Sequence, residues 1–149
     1  MKSHPLQPFD ILSRQEIAEI LSKLSRASVA VLGDFCLDVY WTIDRSASEI
    51  SVETGQKTEP VRAQRYAPGG AGNVVMNLVT LGVQQIYPVG VLGDDPFGRV
   101  LLRLLASPHI DTSGLVLQGE GWATHTYIKP YVDGEELSRV DHGNLNRTS

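Results

Sequence analysis

A single cysteine, Cys36, among 149 residues leaves no intrachain disulfide to form and suits a reducing compartment. Long apolar runs are missing as well. None approaches the roughly 20 residues that a membrane-spanning helix needs, and the opening MKSHPLQPFDILS has no apolar stretch after Lys2 to act as an export signal. A net charge of -4 gives no electrostatic pull towards nucleic acid or an anionic membrane. His4, His109, His125 and His142 stand apart, without metal-ligand spacing, which predicts surface or structural roles. No Lys-Ser/Thr pair follows a glycine-rich loop, and no G-x-G-x-x-G follows the first apolar strand, so neither phosphate-binding fingerprint is present. These absences point to a cytoplasmic chain with a small, neutral or mildly charged ligand, and to neither a nucleic-acid nor a membrane partner.

What is present reads as globular: 42% hydrophobic and 20% charged residues, enough for one domain or a piece of a larger one. Ser13 and Glu16 have capping-box spacing, and Ile17, Ile20, Leu21 and Leu24 recur at helical intervals, predicting an amphipathic helix. ASVAVLGD (27 to 34) predicts a buried parallel strand. Residues 38 to 66 are polar and loosely alternating, predicting extended strands with one wet side. NVVMNLVTLG predicts a well-buried helix closed by Gly82, and IYPVGVLGD another strand. Asp95 and Pro96 predict a helix start, with the helix ending near Ser107. GLVLQ adds a short strand, and THTYIKPYVDGEELSRVD predicts a hairpin turning at Asp133 and Gly134. This is an α/β order. Two or three core strands with about three helices leave part of a parallel sheet uncovered, so the chain reads as a front half whose open apolar surface favours association.

Two stretches carry chemistry. Asp34 and Asp38, in GDFCLD, fall at the carboxyl end of the first strand, the edge where open α/β sheets bind ligands. A carboxylate there accepts hydrogen bonds from a vicinal diol, or caps a local turn. In PGGAGN, the side-chain-free Gly69 and Gly70 let a ligand approach backbone N–H groups at a helix start, and Asn73 adds an amide suited to a hydroxyl. The alternative is a tight turn with Asn73 as N-cap. Asp94 and Asp95 suggest a metal pair, but the Asp-Pro helix start accounts for Asp95. Along THTYIKPY, Thr124, Thr126 and Ile128 share one strand face and His125, Tyr127 and Lys129 the other. Either face can cover a ligand.

Taken in order, these pieces resemble the PfkB or ribokinase family of sugar kinases. The matching parts are the strand ending GDFCLD, the polar excursion, GGAGNVVMNLVTLG, the strand leading to GVLGDDPFG and the hairpin closing in SRVD, over residues 27 to 141. Within that family the chain is most similar to the heptose-phosphate kinase (ADP-heptose synthase) branch, whose strand end also reads G-D-x-x-L-D-x-Y, here Gly33 to Tyr40. Val75 stands where the family usually has a small residue.

The resemblance implies an α/β, Rossmann-like ribokinase fold: the N-terminal portion of a parallel sheet flanked by helices, with a small β lid. The body would be residues 10–37 and 67–122, and the lid 38–66 and 123–141. It implies phosphoryl transfer from ATP, assisted by Mg²⁺, to a sugar or sugar phosphate, with Asp38 as the leading hydroxyl acceptor. Gly69, Gly70 and Asn73 would form the opposing wall, Asp34 a second rim carboxylate, and Lys129 a lid contact for a substrate phosphate. The family's G-A-G-D motif does not occur, so no catalytic base, ATP ligand or metal ligand is assigned, and a C-terminal catalytic and ATP-binding portion is expected outside this chain. Alone, the chain is expected to be inactive. The resemblance also implies a homodimer formed through lid strands. The alternative is a non-catalytic sugar-binding or oligomerisation module that reuses the fold.

Overall fold

Ser13 starts the first helix as its spacing predicts. Its hydroxyl accepts the Glu16 N–H at 3.2 Å, and the Glu16 carboxylate accepts the Ser13 N–H at 2.7 Å. This computed structural model describes residues 12–146, so His4 and the opening segment lie outside the described residues. The helix, α1 (Arg14–Leu24), buries none of its residues, and Ile17, Ile20 and Leu21 are exposed.

Strand β1 (Ser28–Leu32) leads through a two-residue turn into β2 (Phe35–Ile43). Here the chain changes sheet. β1 pairs in parallel with β4 (Gln85–Gly93), which pairs in parallel with β5 (Leu115–Gln118). β2 instead lies between antiparallel β3 (Val61–Gly70) and parallel β6 (Thr126–Val132). Short strands β7 (Glu135–Glu136) and β8 (Val140–His142) pair with the far edge of β6. The turn between β6 and β7 falls at Asp133 and Gly134, both with positive φ (51° and 88°), as a two-residue hairpin requires. Between β2 and β3 the excursion is mostly loop, with a single 3-10 turn at Arg45–Ala47 and a bridge between Ile50 and Lys57. Ion pairs Arg62–Asp44 and Arg45–Glu59 tie it down.

The β2 pleat explains the core. Phe35, Leu37 and Val39 point one way and are fully buried, joining Val75 of α2 (Ala71–Thr80), Leu101 and Leu105 at the end of α3 (Pro96–Leu104), and Ile86 and Leu92 of β4. Each such side chain contributes about 1.5–3 kcal/mol of burial. Helix α2 is less buried than its composition suggests: only Gly72 and Val75 are enclosed, while Val74 and Leu81 are exposed. α3 ends at Leu104 rather than near Ser107.

A polar knot fixes the root of β6 on the body. Asp95 caps α3 by accepting the Gly98 N–H at 2.8 Å, and its other oxygen accepts the N–H of buried Thr124 at 2.7 Å. The Thr124 hydroxyl accepts the Gly93 N–H at 2.9 Å. Burial pushes the Asp95 pKa up, but these N–H donors outweigh it and hold the carboxyl below the usual carboxylate range.

One face of the three-stranded sheet is open. On β4, Ile86, Pro88 and Leu92 face the core while Tyr87, Val89 and Val91 face outward. The register sets Leu32 beside Val89 and Val116 beside Val91, and these two neighbours are 81% and 59% exposed. Parallel sheets are ordinarily covered on both faces.

Candidate functional site

The glycine run marks where β3 becomes α2. Gly70 is the helix N-cap, with φ 53° and ψ -127°, a conformation open to glycine. A Cβ there would strike the carbonyl oxygen of Asp34, which accepts the Ala71 N–H at 2.8 Å. A Cβ at Gly69 would meet the Cys36 Sγ at 2.6 Å and the Asp38 Oδ2 at 3.2 Å. Bare backbone is therefore needed first by the chain itself, because β2 and the Asp34 turn close against the helix start. Asn73 is not the N-cap. It sits in the first turn of α2, exposed.

Asp38 lies inside β2, not at the end of β1, because β2 resumes as strand at Phe35. It pairs with Ala67 on one side and Tyr127 on the other. Strand alternation sets Cys36, Asp38 and Tyr40 on the face opposite the core. The parallel register brings His125, Tyr127 and Lys129 of the β6 segment onto that same face, and Thr124, Thr126 and Ile128 into the interior. Of the two faces of THTYIKPY, the one bearing Lys129 looks towards Asp38.

The Lys129 Nζ donates to the Asp38 Oδ1 at 2.7 Å, with both side chains under one fifth exposed. The Asp38 hydrogen bond raises the Lys129 pKa, against burial, so the ammonium stays charged. Arg65 stacks over the Tyr40 ring at 3.8 Å, and the Lys129 Nζ lies 5.0 Å from the same ring. At the other end of the face, the His125 Nδ1 lies 3.0 Å from the Asp34 Oδ1, and Trp122 stacks on the imidazole at 6.4 Å. Beneath the carboxylates the Cys36 thiol is pushed up to about 11, chiefly by burial and then by the Asp34 and Asp38 charges.

The structure thus brings Asp34, Asp38, Gly69 and Lys129 along one face of the sheet of β2, β3 and β6, with Gly70 against the Asp34 carbonyl and Asn73 one helical turn beyond it. Sequence reasoning missed His125, Arg65 and Tyr40. Strand alternation already paired His125 with Lys129, but nothing local ties either residue to an aspartate. Other features stand apart. Asp94 pairs with Arg99 at 2.9 Å beside a cavity of about 670 Å³ lined by Asp95, Pro96, Val100 and Arg103, which leaves the Asp94–Asp95 pair a local structural role. A second cavity, about 460 Å³, lies on the opposite face of the β2–β3–β6 sheet, against Trp41, Ile43, Pro130 and Leu137. His109 bonds to the Gln84 carbonyl, and His142 packs edge-on against Phe97. Among the described residues, no group of three or more His, Cys, Asp or Glu side chains is placed to hold a metal ion. No described helix is long and apolar enough to cross a membrane.

Residues 26–147 match the model of the pfkB family carbohydrate kinases. The chain belongs to that family. Among curated relatives it is 31% identical over 121 residues to the bifunctional protein HldE of Psychromonas ingrahamii, covering 81% of this chain and 24% of that protein. It is 36% identical over 106 residues to HldE of Mesorhizobium japonicum, covering 71% of this chain and 21% of that protein. The chain therefore spans about a quarter of the length of the curated relatives it matches. Among solved structures it resembles a ribokinase of Arabidopsis thaliana, complexed with ribose and ATP, with a TM-score of 0.59 and 21% identity over 78% of this chain and 36% of that one. A ribokinase from Cryptococcus neoformans, in complex with ADP, gives a TM-score of 0.56 and 23% identity over 78% of this chain and 34% of that one. These likenesses show the ribokinase-like α/β fold, a parallel sheet flanked by helices, in a pfkB-family chain.

Proposed function

We propose that this chain supplies the sugar-binding half and lid of an ATP-dependent carbohydrate kinase. The observation that carries the reading is the Asp38 carboxylate. One oxygen is held by Lys129, and the other lies over the bare backbone of Gly69, at the start of α2. In this reading a sugar hydroxyl donates to the Asp38 Oδ2, while the Asn73 amide, able to donate and accept, meets a neighbouring hydroxyl. Gly70 offers no side-chain cap, so first-turn N–H groups of α2 beyond that of Ala71 are donors for a further hydroxyl oxygen. Asp34, oriented by His125, is the second rim carboxylate. The Arg65 guanidinium over the Tyr40 ring suits a substrate that arrives phosphorylated as well as a neutral one.

The described residues offer no cluster of three or more metal-ligating side chains for Mg²⁺ and no phosphate-cradling loop for ATP. In this reading both are held by further polypeptide, which also covers the open sheet face around Leu32, Val89 and Val116. When present, the metal-bound nucleotide would supply the phosphoryl group, and this chain's residues would bind and orient the accepting hydroxyl and exclude water from it. Among the described residues β3 is a lid-edge strand whose outer side is unpaired, and pairing there with a second copy is the oligomeric form the reading favours, in the cytoplasm. Isothermal titration with ribose, fructose and a seven-carbon aldose, each with and without its terminal phosphate, tests the site. Binding that drops at least tenfold in Asp38→Ala supports it, and unchanged binding removes it.

A further inference from the structure

We infer that Lys129 is a positioning residue: it pairs with the Asp38 carboxylate and turns it so that Oδ2 meets the sugar, rather than serving as an anchor for a substrate phosphate. The inference rests on the reading of Asp38 as the hydroxyl acceptor, and gives Lys129 a role distinct from the phosphate contact expected from its place on the lid.

Tyr40 stands opposite Lys129 across the β2–β6 pair, and Asp38 stands opposite Tyr127, so Asp38 and Lys129 are diagonal neighbours on one face, within reach of a long side chain. The pair is 2.7 Å apart, and its side chains are 16% and 19% exposed, so neither charge is well hydrated. A carboxylate that far from water is costly unless a partner neutralises it. Around Asp38, the Cys36 thiol and Gly69 backbone lie on the side of Oδ2, and the carboxylate of Asp34 adds like charge to the same rim. Lys129 is the cation in hydrogen-bond contact with Asp38.

The contact also orients. With Oδ1 committed to the ammonium, the carboxylate plane is fixed and Oδ2 is directed over Gly69, 3.2 Å from where that residue's Cβ would stand. Gly69 makes this placement possible, since a methyl group there would crowd the oxygen. A phosphate drawn to Lys129 would have to compete for an ammonium already engaged by Asp38 and lying beside the Tyr40 ring. Arg65, exposed and stacked on that ring, is the cation a phosphate reaches without breaking the pair.

The test is isothermal titration of the full-length protein and its Lys129→Met, Lys129→Arg, Asp38→Asn and Lys129→Met/Asp38→Asn variants. The probes are ribose, fructose and a seven-carbon aldose, and the terminal phosphate ester of each. Thermal melting checks that every variant is folded, and Lys129→Gln replaces the methionine variant should that one not fold. Lys129→Met is expected to weaken neutral and phosphorylated sugars alike, by about tenfold, the size of one charge-assisted hydrogen bond. The loss should vanish in the Asp38→Asn background and be largely recovered by Lys129→Arg. A loss confined to the phosphate esters, a loss of equal size with Asp38→Asn already in place, or no loss at all overturns the inference. Should Asp38→Asn itself leave sugar affinity unchanged, the sugar-site reading falls and takes this inference with it. A silent Lys129→Met beside a damaging Asp38→Asn overturns the Lys129 role alone.

Discussion

Replacing Gly70 by alanine probes the joint on which the site is built. The residue has φ 53° and ψ -127°, and an added Cβ would run into the Asp34 carbonyl oxygen. Holding a non-glycine residue in such a conformation costs about 1–3 kcal/mol. Relieving the clash moves the Asp34 carbonyl, which accepts the Ala71 N–H at 2.8 Å, and losing that bond adds about 1 kcal/mol. The expected total is about 2–4 kcal/mol, or roughly 6–12 °C in melting temperature for a chain of this size. Gly55 is the control. Its φ is also positive, 67°, but nothing lies within 4 Å of a Cβ there, so Gly55→Ala should cost only about 1–2 kcal/mol of backbone strain. Circular-dichroism melts of both variants decide the matter. If Gly70→Ala melts no lower than Gly55→Ala, the contact between the β1–β2 turn and the α2 start does not hold the helix in place.

The remaining predictions concern other parts of the chain. Because folding lowers the Asp95 pKa, its contribution is fully present above the unfolded value of about 3.9 and is lost as pH falls from there through the folded value. Asp95→Asn should therefore flatten the acid limb of the stability curve, measured by urea unfolding between pH 6 and 3, and an unchanged limb would contradict the knot. The Cys36 thiol, raised to about 11, should react with iodoacetamide at pH 8 on the order of a hundredfold more slowly in the native chain than after unfolding, as read by mass spectrometry. Equal rates would mean that the packing around Cys36 opens to solvent. Val91→Lys, on the exposed sheet face, should lower self-association of the 149-residue chain in light scattering. An unaltered particle size would show that this face does not drive association.

Local signals were readable from the sequence because a few neighbouring residues decide them. Ser13 and Glu16, Asp95 with Pro96, and Asp133 with Gly134 each fix a helix start or turn without distant partners, and each sits where its chemistry requires. The order of helices and strands along the chain followed from apolar runs and their spacing. The sheet change after Gly33 was not readable, because β2 acquires its partners from β3 and from β6, far along the chain. For the same reason Asp38 reads as a strand-end residue although it lies mid-strand. The contacts Asp34–His125 and Asp38–Lys129 each join residues 91 positions apart, and only the parallel β2–β6 register brings them together. The overstated burial of α2 has another cause. Val74 and Leu81 are apolar, but nothing among the described residues covers them. Glycines 69 and 70 were singled out for ligand approach, while the structure shows that their space first accommodates Cys36, Asp38 and Asp34.

The most direct measurement is a crystal structure of the full-length protein with a bound sugar, located by difference density at hydroxyl-resolving resolution. The account predicts one hydroxyl within about 3 Å of the Asp38 Oδ2 and another within reach of the Asn73 amide, with Lys129 still bonded to Oδ1. A sugar seated instead in the cavity beside Asp94 and Arg103, or against Trp41 and Pro130 on the opposite face of the β2–β3–β6 sheet, would contradict it.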